Sequence, residues 1–222
     1  MIILVNFLLL IKNISKYSKG DIDQGKTPFD VYRLCSCIRE TFCLSYSIRK
    51  RNNLYIYFQK EYVLIKFVGS KLRYLGPDER SQALLLEKAL NKVRKDFFAE
   101  NDKWKKSTPG IFVRKFFDNY SFMNFCSSIM QGKNFLIIDN PQSVEDNVED
   151  FNLIKEFIEN METDFFIIPI YSISRDNSKI IELFKEVKNI KLISFSKIKD
   201  VENKILYINF REDQQGIPSK NQ

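Results

Sequence analysis

The sequence predicts an α/β fold built on a largely parallel β-sheet. Short apolar runs, which are typical of buried strands, alternate with stretches whose apolar residues recur at helical spacing. With 222 residues, 44% of them hydrophobic, the chain is long enough to bury a full core. We therefore predict a single domain over residues 1–212 and a polar, disordered tail over residues 213–222.

Seven apolar runs are candidate strands. The first, Ile2–Ile11, is strongly apolar but shorter than the roughly 20 residues that span a bilayer. It has neither a basic stretch before it nor a small-residue cleavage site after it, so a buried strand is favoured over a signal peptide. The other six candidates are Leu54–Phe58, Tyr62–Val68, Asn134–Ile138, Phe165–Ile170, Lys191–Phe195 and Ile205–Phe210.

Helical spacing predicts five helices between these strands. In the first, Phe29–Ile48, apolar residues from Val31 to Phe42 share one face. The second begins near Pro77, because proline suits a first helical turn and the acids that follow it suit the helix dipole. Weaker helical patterns cover Ser121–Met130, Asp150–Met161 and Ser178–Val187.

The charge is unevenly divided along the chain. Residues 1–140 hold 24 Lys and Arg against 13 Asp and Glu, a net charge of +11, whereas residues 141–222 carry −4. A basic half of this kind favours a polyanionic partner such as RNA or DNA. A generally lysine-rich composition is the alternative explanation.

Residue types that are missing or misplaced exclude several kinds of chemistry. The chain has no histidine, which excludes Ser-His and Cys-His catalysis and histidine-metal sites. Three of its four cysteines, Cys35, Cys37 and Cys43, fall in the first predicted helix at spacings that match neither a zinc site nor a disulfide framework. We expect no bound metal and a reducing, cytoplasmic setting.

The glycines also exclude common nucleotide folds. The chain has 7 glycines and contains neither a G-x-G-x-x-G fingerprint nor a phosphate-binding loop. A Rossmann-type methyltransferase and a phosphoryl-transfer enzyme are therefore both disfavoured.

Two stretches in the basic half combine cations with constrained backbone. The stretch 66–80 (KFVGSKLRYLGPDER) brings cations next to a helix start, where phosphates bind well. The stretch 104–114 (WKKSTPGIFVR) places a Thr-Pro-Gly turn before a strand-like run and Arg114. Solvent-facing connections would also explain both stretches.

Five ordered blocks carry a resemblance to a known family. They are residues 34–37 (LCSC), 42–49 (FCLSYSIR), 65–72 (IKFVGSKL), 76–80 (GPDER) and 107–114 (STPGIFVR). In this order and spacing the chain resembles the archaeal tRNA pseudouridine-54 N1-methyltransferases of the SPOUT superfamily. The specific part of the resemblance covers residues 30–115.

The resemblance implies a structure and a set of binding residues. It implies a SPOUT-type parallel sheet with helices on both faces, a trefoil knot in the C-terminal half, a homodimer, and a methyl transfer from S-adenosylmethionine to tRNA. The residues it places near the cofactor are Ser194, Ser196 and Gly132. Those it places on RNA are Arg49, Lys66, Arg80 and Arg114.

The chain departs from the family pattern at three places. Pro169-Ile170-Tyr171 replaces Gly-Asp-His, Lys197-Ile198 replaces Pro-Leu, and Asp30-Val31-Tyr32 replaces Arg-x-Asp. Asp30 is then the candidate carboxylate for the target base, although its side chain would point in a different direction. An alternative hypothesis is a SPOUT-like RNA-binding or assembly protein that has lost methyl transfer.

Overall fold

A computed structural model describes residues 4–96, 103–143, 147–153, 164–170, 178–185, 187, 189–195 and 197–215. Within them the strands are β1 (Val5–Ile11), β2 (Asn52–Phe58), β3 (Val63–Val68), β4 (Lys105–Thr108), β5 (Ile111–Lys115), β6 (Asn134–Ile137), β7 (Glu149–Asp150), β8 (Asp164–Pro169) and β9 (Ile190–Ser194). The α-helices are α1 (Lys19–Asp23), α2 (Phe29–Phe42), α3 (Glu79–Asp96), α4 (Asn119–Ile129), α5 (Ser178–Lys185) and α6 (Val201–Gln215). No helix among these residues is both long enough and apolar enough to cross a membrane.

The described strands form one mixed sheet in the order β4-β5-β3-β2-β1-β8-β6-β9-β7. Its larger part, from β2 to β7, is parallel, whereas β3, β5 and β4 are antiparallel to their neighbours. The short link between Phe58 and Val63 allows only a hairpin, because a parallel crossover needs a dozen or more residues. An α/β protein with a large sheet is confirmed, and the largely parallel sheet of the prediction gains an antiparallel side.

Helices cover both faces of the sheet. On one face α2, α3 and α6 pack against the side chains of Phe7, Leu9, Ile56 and their neighbours. On the other face α4 and α5 pack against a second cluster that includes Leu8. This division follows from the strands, because successive side chains in a strand point to opposite faces.

The predicted strand Ile205–Phe210 is wrong, because these residues lie in α6. Val201, Ile205 and Ile208 are buried against the sheet at helical spacing, while Leu206 and Phe210 are about half exposed. A short apolar run with no clear alternation fits a helix and a strand equally well. The set of residues that is buried decides between helix and strand, and the sequence does not reveal that set.

The helix predicted over Phe29–Ile48 ends early, at Phe42. Cys43 is extended, and the Arg49 N–H returns to the Phe42 carbonyl at 2.7 Å, so the following residues form a tight loop. The apolar face is complete at Phe42, and Tyr46 beyond it is fully exposed. A longer helix would therefore bury nothing more.

The other predicted boundaries shift less. The helix expected near Pro77 starts at Glu79. Of the tail expected from Asp213, residues 213–215 belong to α6, and residues 216–222 lie outside the described residues. Of the helix predicted over Asp150–Met161, residues 154–161 lie outside the described residues. The trefoil knot stays a prediction, because connections of the C-terminal half at residues 154–163 and 171–177 also lie outside them.

Candidate functional site

The first turn of α2 lies between two surface clefts. On one side is a cleft of about 380 Å³, where Phe29 and Tyr32 of α2 face Arg80 at the start of α3. On the other side, Arg33 reaches the beginning of α6. Residues from distant parts of the sequence thus meet at this turn.

A larger groove of about 720 Å³ runs beside α6. It is lined by apolar side chains of α6 and by polar residues of the loop before it: Lys197, Ile198, Lys199, Asp200, Asn203, Leu206, Tyr207 and Phe210. Its volume is in the range of small-molecule sites, which are mostly apolar with a few polar groups.

Arg33 holds the first turn of α2 against this groove. Its guanidinium donates to Asp200 Oδ1 at 3.0 Å and to Glu202 Oε1 at 2.6 Å. Arg33 and Glu202 are mostly buried, and charge-assisted bonds of this kind are the strong ones. The position of α2 is therefore tied to the loop that lines the groove.

Asp30 lies on the same turn, but its carboxylate is already engaged. Oδ2 accepts the Ser15 N–H at 2.6 Å, and Oδ1 accepts the Val31 N–H at 2.9 Å. These bonds fasten the preceding loop to the start of α2. Both bonds of Asp30 therefore stabilise the start of α2.

The start of α3 is fixed by a side-chain cap. Asp78 Oδ1 accepts the Ser81 N–H at 2.8 Å, and this bond holds the pKa of Asp78 below its ordinary value. Arg80 pairs with Asp23 at the end of α1, at 2.9 Å from Nε and 2.8 Å from Nη2. Arg80 is more than half exposed, so it also faces the cleft.

Replacing Asp78 with Ala should lower the free energy of unfolding by about 1 kcal/mol, because the cap of α3 is lost. The Asp78 pKa is depressed, so the stabilisation by its charge is complete above the ordinary carboxyl pKa and is lost as pH falls through the lowered value. Urea unfolding across acidic pH measures both effects. Asp78→Asn is the control, since Asn caps without titrating. Equal pH dependence of wild type and Asp78→Asn would contradict the assignment.

The four candidate RNA-binding cations fall into different environments. Arg49 makes a two-pronged ion pair with Asp213 of α6, at 2.6 and 2.8 Å, and Arg80 is paired with Asp23. Lys66 and Arg114 lie together on the face of the sheet that carries α4 and α5, where both contact the Trp104 ring. The structure therefore brings together two of the four residues.

The candidate cofactor residues are also separated. Gly132 precedes the amino end of β6, whereas Ser194 is the carboxyl end of β9. These strands are parallel neighbours, with Asn134 opposite Ile190 and Ile137 opposite Ile193. Gly132 and Ser194 therefore lie at opposite ends of the strands, roughly 20 Å apart. Ser194 is buried next to the loop that lines the groove. Ser196 lies outside the described residues.

The departure at Pro169 and Ile170 lies at the carboxyl edge of the sheet. Pro169 pairs with Leu10, and the Ile170 N–H donates to the Leu10 carbonyl at 3.0 Å. The Ile170 side chain is 1% exposed and belongs to the core. Both residues continue the sheet, and Tyr171 lies outside the described residues.

The cysteines are not poised for reaction. Cys35, Cys37 and Cys126 are buried, and burial raises the pKa of each thiol, to about 12 for Cys35. A thiol in this environment remains protonated and is a poor nucleophile or metal ligand. In the part of the chain that the structure describes, no three Cys, Asp or Glu side chains are grouped to hold a metal ion.

Glycines bring three of the five sequence blocks into contact. A Cβ on Gly69 would lie 2.4 Å from the Arg49 carbonyl oxygen, and one on Gly110 would lie 2.5 Å from the Leu72 nitrogen. The blocks 42–49, 65–72 and 107–114 are therefore packed backbone against backbone. A family model described as "Putative SAM-dependent RNA methyltransferase" matches residues 16–154, which contain all five blocks. The chain belongs to this family.

The RNA methyltransferase match includes Asp30 and the four candidate cations, and it ends before Ser194. Curated relatives are similar over about half of this chain. A tRNA (pseudouridine(54)-N(1))-methyltransferase of Methanocaldococcus jannaschii is 38% identical over 117 residues, 50% of this chain and 55% of that protein. Those of Methanococcus maripaludis and Haloferax volcanii are 36% and 38% identical over 48% and 45% of this chain, and 54% and 47% of their own. The chain thus spans about half the length of the curated relatives it matches.

Three residues that organise the structure have little signal in the sequence. Arg33 and Lys204 each form an ion pair with an acid more than 60 positions away, and no local pattern indicates such pairs. Trp104 begins the stretch 104–114, which is distinguished by its turn and its cations and not by this aromatic ring. It is the single tryptophan and has cations on both sides in sequence, which is the signal that could have identified it.

Proposed function

We propose that this protein is an S-adenosylmethionine-dependent methyltransferase that acts on N1 of pseudouridine at position 54 of tRNA. The observation that carries the proposal is the family match over residues 16–154, together with the name that the curated relatives share. The basic charge of the matched half supports a tRNA substrate, since phosphate contacts dominate affinity for nucleic acids.

The groove beside α6 fits the cofactor in size and chemistry. Leu206 and Tyr207 offer apolar and aromatic surface for an adenine ring, and Asn203 offers donors and an acceptor. Ser194 ends β9 at the carboxyl edge of parallel strands, where ligands of α/β proteins bind. We infer that Ser194, residues 197–200 and α6 hold S-adenosylmethionine, which supplies a methyl group on a positively charged sulfur.

The remaining chemistry depends on placing and deprotonating the base. N1 of pseudouridine carries a proton that has to leave, and methyl transfer otherwise requires mainly positioning. Asp30 accepts one backbone N–H on each carboxylate oxygen, so a remaining lone pair would have to take this proton. Arg33 keeps the turn that carries Asp30 next to the groove, and Arg80 offers a cation on the other side of that turn.

A methyl-transfer assay tests the proposal. Two tRNAs that differ only in uridine or pseudouridine at position 54 are incubated with labelled S-adenosylmethionine, and cofactor binding is measured by calorimetry. We expect binding heat, and label only in the pseudouridine tRNA. No heat and no label, with salt-sensitive tRNA binding intact, would contradict the proposal and leave an RNA-binding protein without methyl transfer.

The oligomer, the knot and the cellular location belong to the same proposal. We propose a homodimer with a SPOUT-type C-terminal knot, working in the cytoplasm. The half-exposed Phe210 on α6, which the cofactor contacts proposed above do not use, supports a dimer, because a second copy would cover its ring.

A further inference from the structure

A basic and aromatic surface lies on the antiparallel side of the sheet, away from both clefts. Residues 103–117 contain five cations, four aromatic residues and no acid. They form β4 and β5, which lie beside β3 with its Lys66. Neither the groove beside α6 nor the cleft at Arg80 includes these residues.

Strand register aligns the side chains of this surface. Lys66 lies opposite Tyr55 of β2 on one side and opposite Phe112 of β5 on the other. Lys106 of β4 follows, opposite Phe112. Side chains directly opposite each other share a face, so cations and aromatic rings alternate across the sheet.

Trp104 joins the two central cations of this surface. Lys66 Nζ lies 5.9 Å from the centre of the Trp104 ring and 4.9 Å from that of Tyr55. Arg114 Cζ lies 5.9 Å from the Trp104 ring and 4.6 Å from the ring of Phe125 in α4. The rings hold both cations in place through cation–π contacts. We name Lys66, Trp104, Phe112 and Arg114 the Trp104 platform. The buried Tyr55 supports Lys66 from within the fold.

Lys66 gives the platform a positive charge that no described acid neutralises. It forms no ion pair with an acid in the described part of the chain, and burial together with nearby Lys71 lowers its pKa. Its charge is thus maintained at a cost, which an anion arriving at the surface would offset. The half-buried Trp104 and Phe112 add ring surface beside that charge.

We propose that the Trp104 platform binds an unpaired segment of the tRNA, with bases stacked on its aromatic rings and on Arg114, and phosphates at Lys66 and Lys106. Unpaired bases stack on aromatic rings and guanidinium planes, whereas duplex RNA hides its base faces. An acidic protein would match the charge but would make less use of the rings. This inference rests on the proposed tRNA substrate, and it adds a second contact outside the reacting site.

Trp104 is the only tryptophan, so its fluorescence reports on the platform directly. We expect a ten-nucleotide oligo(U) to quench this fluorescence, and an RNA duplex of equal charge to quench it much less. Lys66→Gln and Arg114→Gln should each weaken oligo(U) binding roughly tenfold. Lys66→Gln should also reduce the slope of log affinity against log salt by about 0.7, because one phosphate is no longer neutralised.

Matched controls keep the inference falsifiable. Lys191→Gln removes one exposed cation from β9, near the other edge of the sheet, and should leave oligo(U) binding unchanged. Arg114→Lys keeps the charge without the planar group and should bind oligo(U) as weakly as Arg114→Gln, because a base stacks on the guanidinium plane. Thermal unfolding of each variant checks that it is folded. Absence of quenching in the wild-type protein, or equal binding by Lys66→Gln, Arg114→Gln and Lys191→Gln, would overturn the proposal.

The methyl-transfer assay separates this inference from the proposed function. Quenching by oligo(U) without methyl transfer would retain the platform and remove the enzyme. Methyl transfer without quenching would retain the enzyme and remove the platform.

Discussion

Replacing Asp139 with Asn is expected to lower the free energy of unfolding by about 3 kcal/mol, because it leaves a buried cation without its counter-charge. Lys204 of α6 donates to the Asp139 carboxylate, and the Lys204 side chain is 2% exposed. In the part of the chain that the structure describes, Asp139 is its one ion-pair partner. Urea denaturation measures the loss.

A double variant tests whether unpaired charge is the cause. Replacing a buried ion pair with apolar residues of similar volume is often nearly neutral, so Lys204→Met together with Asp139→Asn should recover most of the stability. Asp139→Asn alone should also weaken S-adenosylmethionine binding, because the pair fixes α6 and its groove to the end of β6. A double variant no more stable than the single one would contradict this explanation.

Most of the sheet could be predicted because its strands are buried on both faces. The run Val5–Ile11 is buried throughout, and such continuous apolar runs identify central parallel strands. The run Ile205–Phe210 is apolar for another reason. One side of α6 packs on the sheet, and Leu206 and Phe210 on the other side border the groove. An apolar residue that serves a ligand or partner surface looks the same in sequence as one that serves the core.

The candidate site was harder to predict than the fold, because its residues come from distant parts of the chain. The sequence indicates which cations lie in the five blocks, but it does not indicate their partners. Asp213, the ion-pair partner of Arg49, lies 164 positions away, in a segment whose polar composition predicts a disordered tail. Lys66 and Arg114 differ from Arg49 because strand pairing, which joins Leu64 to Arg114, places them on one face. Contacts between distant parts of the chain therefore decide which candidate cations are available to RNA and which form structural ion pairs.

The turn at Gly110 is the second position where a small change should have a large effect. Gly110 has φ of +82°, a conformation that glycine adopts readily and other residues adopt at a cost of about 1 kcal/mol or more. A Cβ there would also lie 2.5 Å from the Leu72 nitrogen and 2.6 Å from its Cα. These are backbone atoms of the link between β3 and α3, so they cannot rotate away as a side chain would.

Gly110→Ala should therefore lower the free energy of unfolding by about 3 kcal/mol, through backbone strain and displacement of the Leu72 segment. Gly25→Ala is the matched control, because Gly25 has φ of +68° and open space around its Cβ position. It should cost only about 1 kcal/mol. The turn also joins β4 to β5, so Gly110→Ala should shift the fluorescence of Trp104 whereas Gly25→Ala should not. Equal losses of stability in the two variants, measured by urea denaturation, would show that the close approach of Gly110 to Leu72 contributes nothing.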